Sequence, residues 1–99
     1  MPPPRNRSRI QSTTGGVMTH EVGAITGDLD VETTLIGDRV DAKVRYADAD
    51  EWYTPLGSPI PLGSGDLRRV HRQILERLTT PGPVEHGNEQ PVDLVGFRA

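Results

Sequence analysis

The sequence has 99 residues, enough for one domain, and only 33% of them are hydrophobic and 4% aromatic, which limits the size of the core. The formal net charge is −3, and the three arginines of the first 17 residues make the rest of the chain more acidic still, which argues against a broad phosphate-binding surface. The sequence contains no cysteine and no long apolar run, so we expect a cytoplasmic protein without disulfides or a membrane segment.

The first 20 residues are rich in Pro, Ser, Thr, Gly and Arg, a composition typical of disorder. We therefore expect residues 1–20 to form a disordered N-terminal segment that packs against nothing. Gly15, Gly16 and Val17 precede Met18, and their codons can spell a ribosome-binding site, which raises the hypothesis that translation starts at Met18. The alternative interpretation is a basic arm that contacts nucleic acid.

A β-hairpin over residues 28–46 is the strongest local prediction. Apolar and polar residues alternate on both sides of Gly37-Asp38, and glycine at the first of two central positions suits a type II′ turn. In the resulting register one face of the hairpin is apolar on both strands. The other face places residues of opposite charge across from each other: Asp30 opposite Arg45, and Glu32 opposite Lys43.

A third antiparallel strand is predicted near residues 51–54, where Trp52 and Tyr53 face opposite sides of the sheet. The following stretch, 55–64, contains three prolines and therefore cannot be a central strand. We expect an extended crossing loop that places its large aliphatic residues on the sheet edge: Leu56, Ile60 and Leu62.

An amphipathic helix is predicted over residues 66–78, because Asp66 is a suitable N-cap and apolar residues follow at helical spacing. The apolar arc includes His71, which we interpret as a core histidine and a candidate pH-sensitive residue. The outer face carries three arginines: Arg68, Arg69 and Arg72.

These elements predict an α+β fold in which a small antiparallel three-stranded sheet packs against one amphipathic helix. Residues 21–80 would form the single compact domain, followed by a Pro/Gly-rich tail at 81–99 with a candidate edge strand at 92–97. The opposite face of the sheet is left to solvent or to a partner. The expected core combines one face of the sheet with one face of the helix: Leu29, Val31, Leu35, Val40, Val44, Tyr46, Leu67, Val70, Ile74, Leu75 and Leu78.

Residue patterns typical of catalysis or metal binding are missing from the sequence. The three histidines, His20, His71 and His86, are scattered, and the spacings of a P-loop and of a zinc site are absent. The acidic stretch at 48–51 lacks the distant bidentate glutamate of a calcium loop. We therefore expect no enzyme activity, no cofactor and no metal ion.

Two classes of function remain after these exclusions. The first is a protein-interaction or regulatory module that self-associates or binds a protein partner through the uncovered sheet face or the edge at Trp52. Its five candidate residues are Trp52, Tyr53, Arg39, Lys43 and Arg45. The second is nucleic-acid binding through the helix arginines or the same sheet face. Acidic residues opposite Lys43 and Arg45 favour the first class. The abundant Arg, Gly, Pro, Val and Asp, with a single Lys, are typical of a GC-rich bacterial genome.

Overall fold

The computed structural model describes residues 1–98, which contain one helix, α1 (Leu67–Thr79), and eight strands. In chain order the strands are β1 (Arg5–Gln11), β2 (Val17–Thr19), β3 (Gly23–Ile25), β4 (Asp28–Ile36), β5 (Arg39–Tyr46), β6 (Ile60–Pro61), β7 (Val84–Glu85) and β8 (Asn88–Glu89). The largest sheet has the order β1-β4-β5-β6, with every neighbouring pair antiparallel. Two small hairpins, β2 with β3 and β7 with β8, complete an α+β fold.

The predicted hairpin is confirmed by the pairing of β4 with β5. Leu29 lies opposite Tyr46 and Ile36 opposite Arg39, which is the register expected for a two-residue loop. Gly37 has a φ of 63°, whereas Asp38 has no positive φ, as a type II′ turn requires. The local turn chemistry therefore sets the register of the two longest strands.

The expectation of a three-stranded sheet with a disordered N-terminus is wrong, because β1 forms an edge strand of a four-stranded sheet. It pairs with β4 along its whole length, from Arg5 opposite Thr34 to Gln11 opposite Asp28. The region near 51–54 contributes only an isolated bridge between Tyr53 and Val44, while β6 pairs with the first two residues of β5, Arg39 and Val40. A chain that began at Met18 would lack β1.

The helix is confirmed close to its predicted bounds, and the Asp66 side chain accepts a hydrogen bond from the Arg69 backbone N–H at 2.8 Å. Most expected core residues are buried or packed against the core, but Tyr46, at the end of β5, is 44% exposed and does not belong to it. The core also takes in apolar side chains from near both chain ends: Ile10, Val17, Val92 and Leu94.

The C-terminal segment packs beside β2 and does not extend the large sheet. The Val92 N–H donates to Gly16 O, and the Met18 N–H donates to Val92 O, both at 2.8 Å, in a single parallel bridge. The Leu94 N–H donates to Leu56 O at 2.8 Å. The segment 92–97, a candidate edge strand by sequence, therefore pairs with β2 and the loop after Tyr53.

The contribution of β1 to stability can be measured at Ile10, which is 9% exposed and faces α1. We expect Ile10→Ala to lower the free energy of unfolding by about 2–3 kcal/mol, because it leaves a cavity in the core. Gln11→Ala, at an exposed neighbouring position, is the control and should cost less than about 0.5 kcal/mol. Equal urea midpoints for the two variants would show that β1 does not pack as described.

Candidate interaction surface

The sheet face opposite α1, called the polar face below, carries the side chains of alternate residues on three strands. All basic residues of this face lie on β1 and β5, and all its acidic residues except Asp41 of β5 lie on β4 between them. The charged residues of this face are Arg5, Arg7, Arg9, Asp28, Asp30, Glu32, Arg39, Asp41, Lys43 and Arg45. The arrangement follows from the two-residue period of strands, which places Ser8, Ile10 and the apolar residues of β4 on the helix side.

Asp30 is the buried centre of the polar face, with 5% of its side chain exposed. Its Oδ1 accepts a hydrogen bond from Arg9 Nε at 2.9 Å, and its Oδ2 accepts one from Arg45 Nε at 2.8 Å. The backbone N–H of Asp48 also donates to Oδ2, at 3.2 Å. The hydrogen bond from Arg9, followed by those from Arg45 and Asp48, holds the pKa of Asp30 well below its usual range although burial opposes this shift.

Trp52 lies on the polar face against two arginines. The guanidinium carbon of Arg45 is 4.4 Å from the centre of the indole ring, and that of Arg7 is 5.1 Å from it. These are cation–π distances. Arg45 is itself held by Asp30 and by the carbonyl of Ala49 at 3.0 Å, so the indole rests on a fixed support.

Tyr53 points to the other side of the chain from Trp52, as the sequence predicted. It packs against the core, and its backbone exchanges two hydrogen bonds with Val44, at 2.7 and 2.8 Å. Its hydroxyl donates to Glu51 Oε2 at 3.3 Å, and burial together with the Glu51 carboxylate raises the pKa of Tyr53. Tyr53 therefore anchors the segment that carries Trp52.

Lys43 and Arg39 lie on the polar face, and within residues 1–98 neither forms a cation–π pair with Trp52. Lys43 donates to Thr54 Oγ1 at 2.7 Å and lies 3.9 Å from the Asp41 carboxylate. The predicted partner of Lys43, Glu32, instead accepts two hydrogen bonds from Arg7 at 2.6 and 3.0 Å, because β1 places Arg7 directly opposite it. Arg39 lies near the hairpin turn and lines a cavity of about 170 Å³.

The helix arginines lie on the side of the sheet away from Trp52. Arg68, Arg69 and Arg72 are exposed on α1, and within residues 1–98 none of them forms an ion pair. The structure therefore does not combine the two sets of candidate residues into one surface.

His71 is buried between α1 and the sheet, with 6% of its surface exposed. Its Nε2 lies 2.9 Å from Ser8 Oγ, and its Nδ1 lies 2.7 Å from Thr33 Oγ1. Both hydroxyls can donate or accept, so a neutral imidazole has both ring nitrogens satisfied. Burial lowers the pKa of His71, which favours this neutral form.

The contact between Ser8 and His71 resembles part of a nucleophilic dyad, but its surroundings differ from those of a catalytic one. The group that orients the imidazole is the hydroxyl of Thr33 instead of a carboxylate. A cavity of about 430 Å³ is lined by other residues: Pro61, Gly63, Gly96, Phe97 and Arg98. The contact of His71 with Ser8 and Thr33 thus links α1 to β1 and β4.

Two residues of the polar face were missed by the sequence reasoning, Arg7 and Arg9, and with them the second ion pair of Asp30. Arg7 and Arg9 were assigned to a disordered segment because its composition is polar. The signal that identifies β1 is the strict alternation from Arg5 to Gln11, in which arginines occupy every second position until Gln11. Asp30 was expected to pair with Arg45, and that pairing is confirmed.

Comparison with known proteins found no matching family model, no similar curated protein and no similar solved structure. Within residues 1–98, no group of three or more His, Cys, Asp or Glu side chains could hold a metal ion. The same part of the chain has no helix long and apolar enough to cross a membrane. The function must therefore be inferred from the geometry of the surface itself.

The Asp30 hub should dominate the stability of the polar face. We expect Asp30→Asn to lower the free energy of unfolding by about 2 kcal/mol or more at neutral pH, because it leaves Arg45 with a weaker partner in a partly buried site. Asp48→Asn changes a carboxylate whose side chain is 79% exposed and which also binds Arg9, so it should cost less than about 0.5 kcal/mol.

The pH dependence provides a second readout of the same variant. Because the pKa of Asp30 lies below the ordinary value of 3.8, its stabilising effect is present above that pH and is lost as the carboxylate is protonated at lower pH. The free energies of unfolding of wild type and Asp30→Asn, measured by chemical denaturation, should therefore become equal on strong acidification. A constant difference between them down to the acid limit would contradict this assignment.

His71 should make the protein less stable in mild acid. Since burial lowers its folded-state pKa below the ordinary 6.5, the unfolded chain binds the proton more readily, and acidification from about pH 7.5 to about pH 5 favours unfolding. We expect Tm of His71→Leu to vary less with pH over this window than that of wild type. His86→Gln, at an exposed position, should keep the wild-type slope, and identical slopes for all three proteins would refute the role of His71.

Proposed function

We propose that this chain is a non-catalytic protein-interaction module whose polar face binds a protein partner around Trp52. The observation that supports this most strongly is the contact of Trp52 with Arg7 and Arg45 on a hydrogen-bonded sheet. Tryptophan and arginine are the residues most enriched at the energetic centres of protein interfaces. A partly exposed indole fixed between guanidinium groups is such a centre.

The support beneath Trp52 is preorganised, which favours binding. Arg45 is fixed by Asp30 and Ala49, and Arg7 is fixed by two hydrogen bonds to Glu32. Side chains that are ordered before association lose less conformational entropy when a partner binds. The polar face therefore offers an aromatic anchor surrounded by oriented donors.

Nucleic-acid binding is less well supported on this face because four of its six cations already have acidic partners within residues 1–98. Arg7 pairs with Glu32, Arg9 and Arg45 pair with Asp30, and Lys43 lies near Asp41. Along β1 only the Arg5 guanidinium and Nη1 of Arg7 and Arg9 have no partner within residues 1–98, which is fewer cations than a phosphate backbone ordinarily engages when it releases counterions. The exposed arginines of α1 lie on the opposite side of the sheet from Trp52. They therefore do not form one binding surface with the indole on which a base could stack.

The proposal is tested by capturing partners from a lysate of the source cells with C-terminally tagged wild type, Trp52→Ala and Tyr46→Ala. Tyr46 is an exposed aromatic residue whose position on β5 belongs to the helix side, so it is a matched control. We expect the same protein to be retained by wild type and Tyr46→Ala, and to be reduced at least about tenfold by Trp52→Ala. Retention that is insensitive to Trp52 would contradict the proposal.

Light scattering with a mixed-sequence DNA fragment tests the alternative directly. For an interaction module we expect the solution mass of the protein to be unchanged by DNA at low and moderate salt. A DNA complex that forms at low salt and dissociates as salt rises would favour nucleic-acid binding instead.

A further inference from the structure

Strand β1 is an edge strand whose outer backbone groups have no partner within residues 1–98. The Leu35 N–H donates to Pro4 O, and the Ser12 N–H donates to Gly27 O, both at 2.9 Å. These two hydrogen bonds and the register of β1 and β4 show that the backbone N–H and C=O groups of the even-numbered residues of β1 point toward β4. The N–H and C=O groups of the odd-numbered residues point outward: Arg5, Arg7, Arg9 and Gln11.

Three of the four residues with outward backbone groups are arginines, and the fourth is Gln11. Arg5, Arg7, Arg9 and Gln11 are all exposed, and their side chains project onto the polar face beside Trp52. Arg7 and Arg9 use Nε and Nη2 for their internal ion pairs, which leaves Nη1 of each without a hydrogen bond within residues 1–98. Arg5 forms no ion pair in the same part of the chain.

The side of α1 next to β1 adds further positive charge. His71 contacts Ser8 of β1, so its side of the helix faces this strand. At about 100° per residue, Arg68 and Arg72 lie about 60° and 100° around the helix axis from His71, in the same direction. On the other side of α1, Arg77 donates to the Val95 carbonyl at 2.9 Å. Arg68 and Arg72 therefore lie on the opposite side of α1 from Arg77, and the open edge itself carries arginines on the polar face.

A second copy of this chain is a poor occupant of the edge. An antiparallel pairing of two β1 strands centred on Arg7 would place Arg7 opposite Arg7 and Arg5 opposite Arg9. Shifting this register by two residues again puts arginines across from each other, because they alternate along the strand. Like charges directly opposite each other are destabilising, so the edge disfavours self-association and favours a strand of opposite charge.

The geometry points to strand addition: an extended acidic segment of a protein partner, with carboxylates at alternate positions, pairs with β1 and extends the large sheet. This inference rests on the proposed function and specifies the chemistry of the partner. The backbone of Arg5 to Gln11 supplies the main-chain hydrogen bonds, and the arginine side chains select carboxylates on the polar face. Trp52, in contact with Arg7, lies on the same face as those carboxylates.

The free protein provides the first test, by amide hydrogen exchange in NMR spectra. The amides of Arg7 and Arg9 should exchange rapidly and those of Ser8 and Ile10 slowly, because only the latter bond to β4. The probe is then a synthetic peptide of about nine residues in which glutamate and threonine alternate, long enough to span β1. At a peptide concentration ten times Kd, exchange at Arg7 and Arg9 should slow about tenfold.

The control peptide has lysine in place of each glutamate and should protect neither amide. Absence of protection by the glutamate peptide at millimolar concentration, or equal protection by both peptides, overturns the inference. Stronger protection of the same amides by single-stranded DNA than by the glutamate peptide also overturns it, because the edge would then select phosphate over carboxylate.

A pair of substitutions separates the backbone from the side chain. Arg7→Pro and Arg7→Ala both remove the guanidinium group, but only Arg7→Pro removes the outward N–H, and proline is tolerated in an edge strand at such a position. We expect Arg7→Pro to bind the glutamate peptide about fivefold more weakly than Arg7→Ala. Equal affinities would overturn strand addition. Thermal unfolding reports whether Arg7→Pro is folded, and if it is not, the exchange data on wild type decide.

The two proposals fail in different ways. A captured partner that depends on Trp52, combined with no peptide protection at β1, supports the interaction module and overturns strand addition. Peptide protection at β1, combined with partner capture that is insensitive to Trp52, supports strand addition and contradicts a binding site centred on Trp52.

Discussion

The carboxylate of Asp30 joins segments of the chain that local structure alone would leave apart. It accepts hydrogen bonds from Arg9 on β1, from Arg45 on β5 and from the backbone of Asp48 in the turn after β5. Burying a carboxylate is costly, and several charge-assisted donors are needed to offset the loss of water. Because Arg45 also supports Trp52, the hub that fixes the edge strand fixes the indole of the candidate surface as well.

Strand β1 belongs to the sheet although Ile10 is its only large aliphatic residue. On the polar face Arg9 bonds to Asp30, and on the helix side Ser8 bonds to His71 while Ile10 enters the core. Polar contacts on both faces of the sheet thus stabilise the pairing of β1, which the burial of Ile10 alone would stabilise only weakly. On the helix side of the sheet His71 has a role similar to that of Asp30 on the polar face, because its contacts with Ser8 and Thr33 connect α1 to β1 and β4.

A rigid aromatic anchor and an open strand edge lie next to each other on this small protein, and Arg7 belongs to both. Its guanidinium group contacts Trp52 and Glu32, while its backbone groups point away from the sheet. The arginines on β1 also prevent indiscriminate pairing of the edge, because charged residues on edge strands oppose association with like strands. The same residues are the ones that would select the acidic segment proposed above.

The hairpin over 28–46 and helix α1 were determined by the sequence itself, because their signals are local: a period of two around Gly37-Asp38, and a helical period after Asp66. Trp52 and Arg45 were also recognisable as candidate site residues. Only the tertiary structure decided that β1 completes the sheet and that Arg7 and Asp30 organise the surface. Arg9 and Asp30 are 21 residues apart in the sequence. Pairing between such distant strands depends on complementary charges and on packing. Neither leaves an apolar pattern within β1 from which the strand could be predicted.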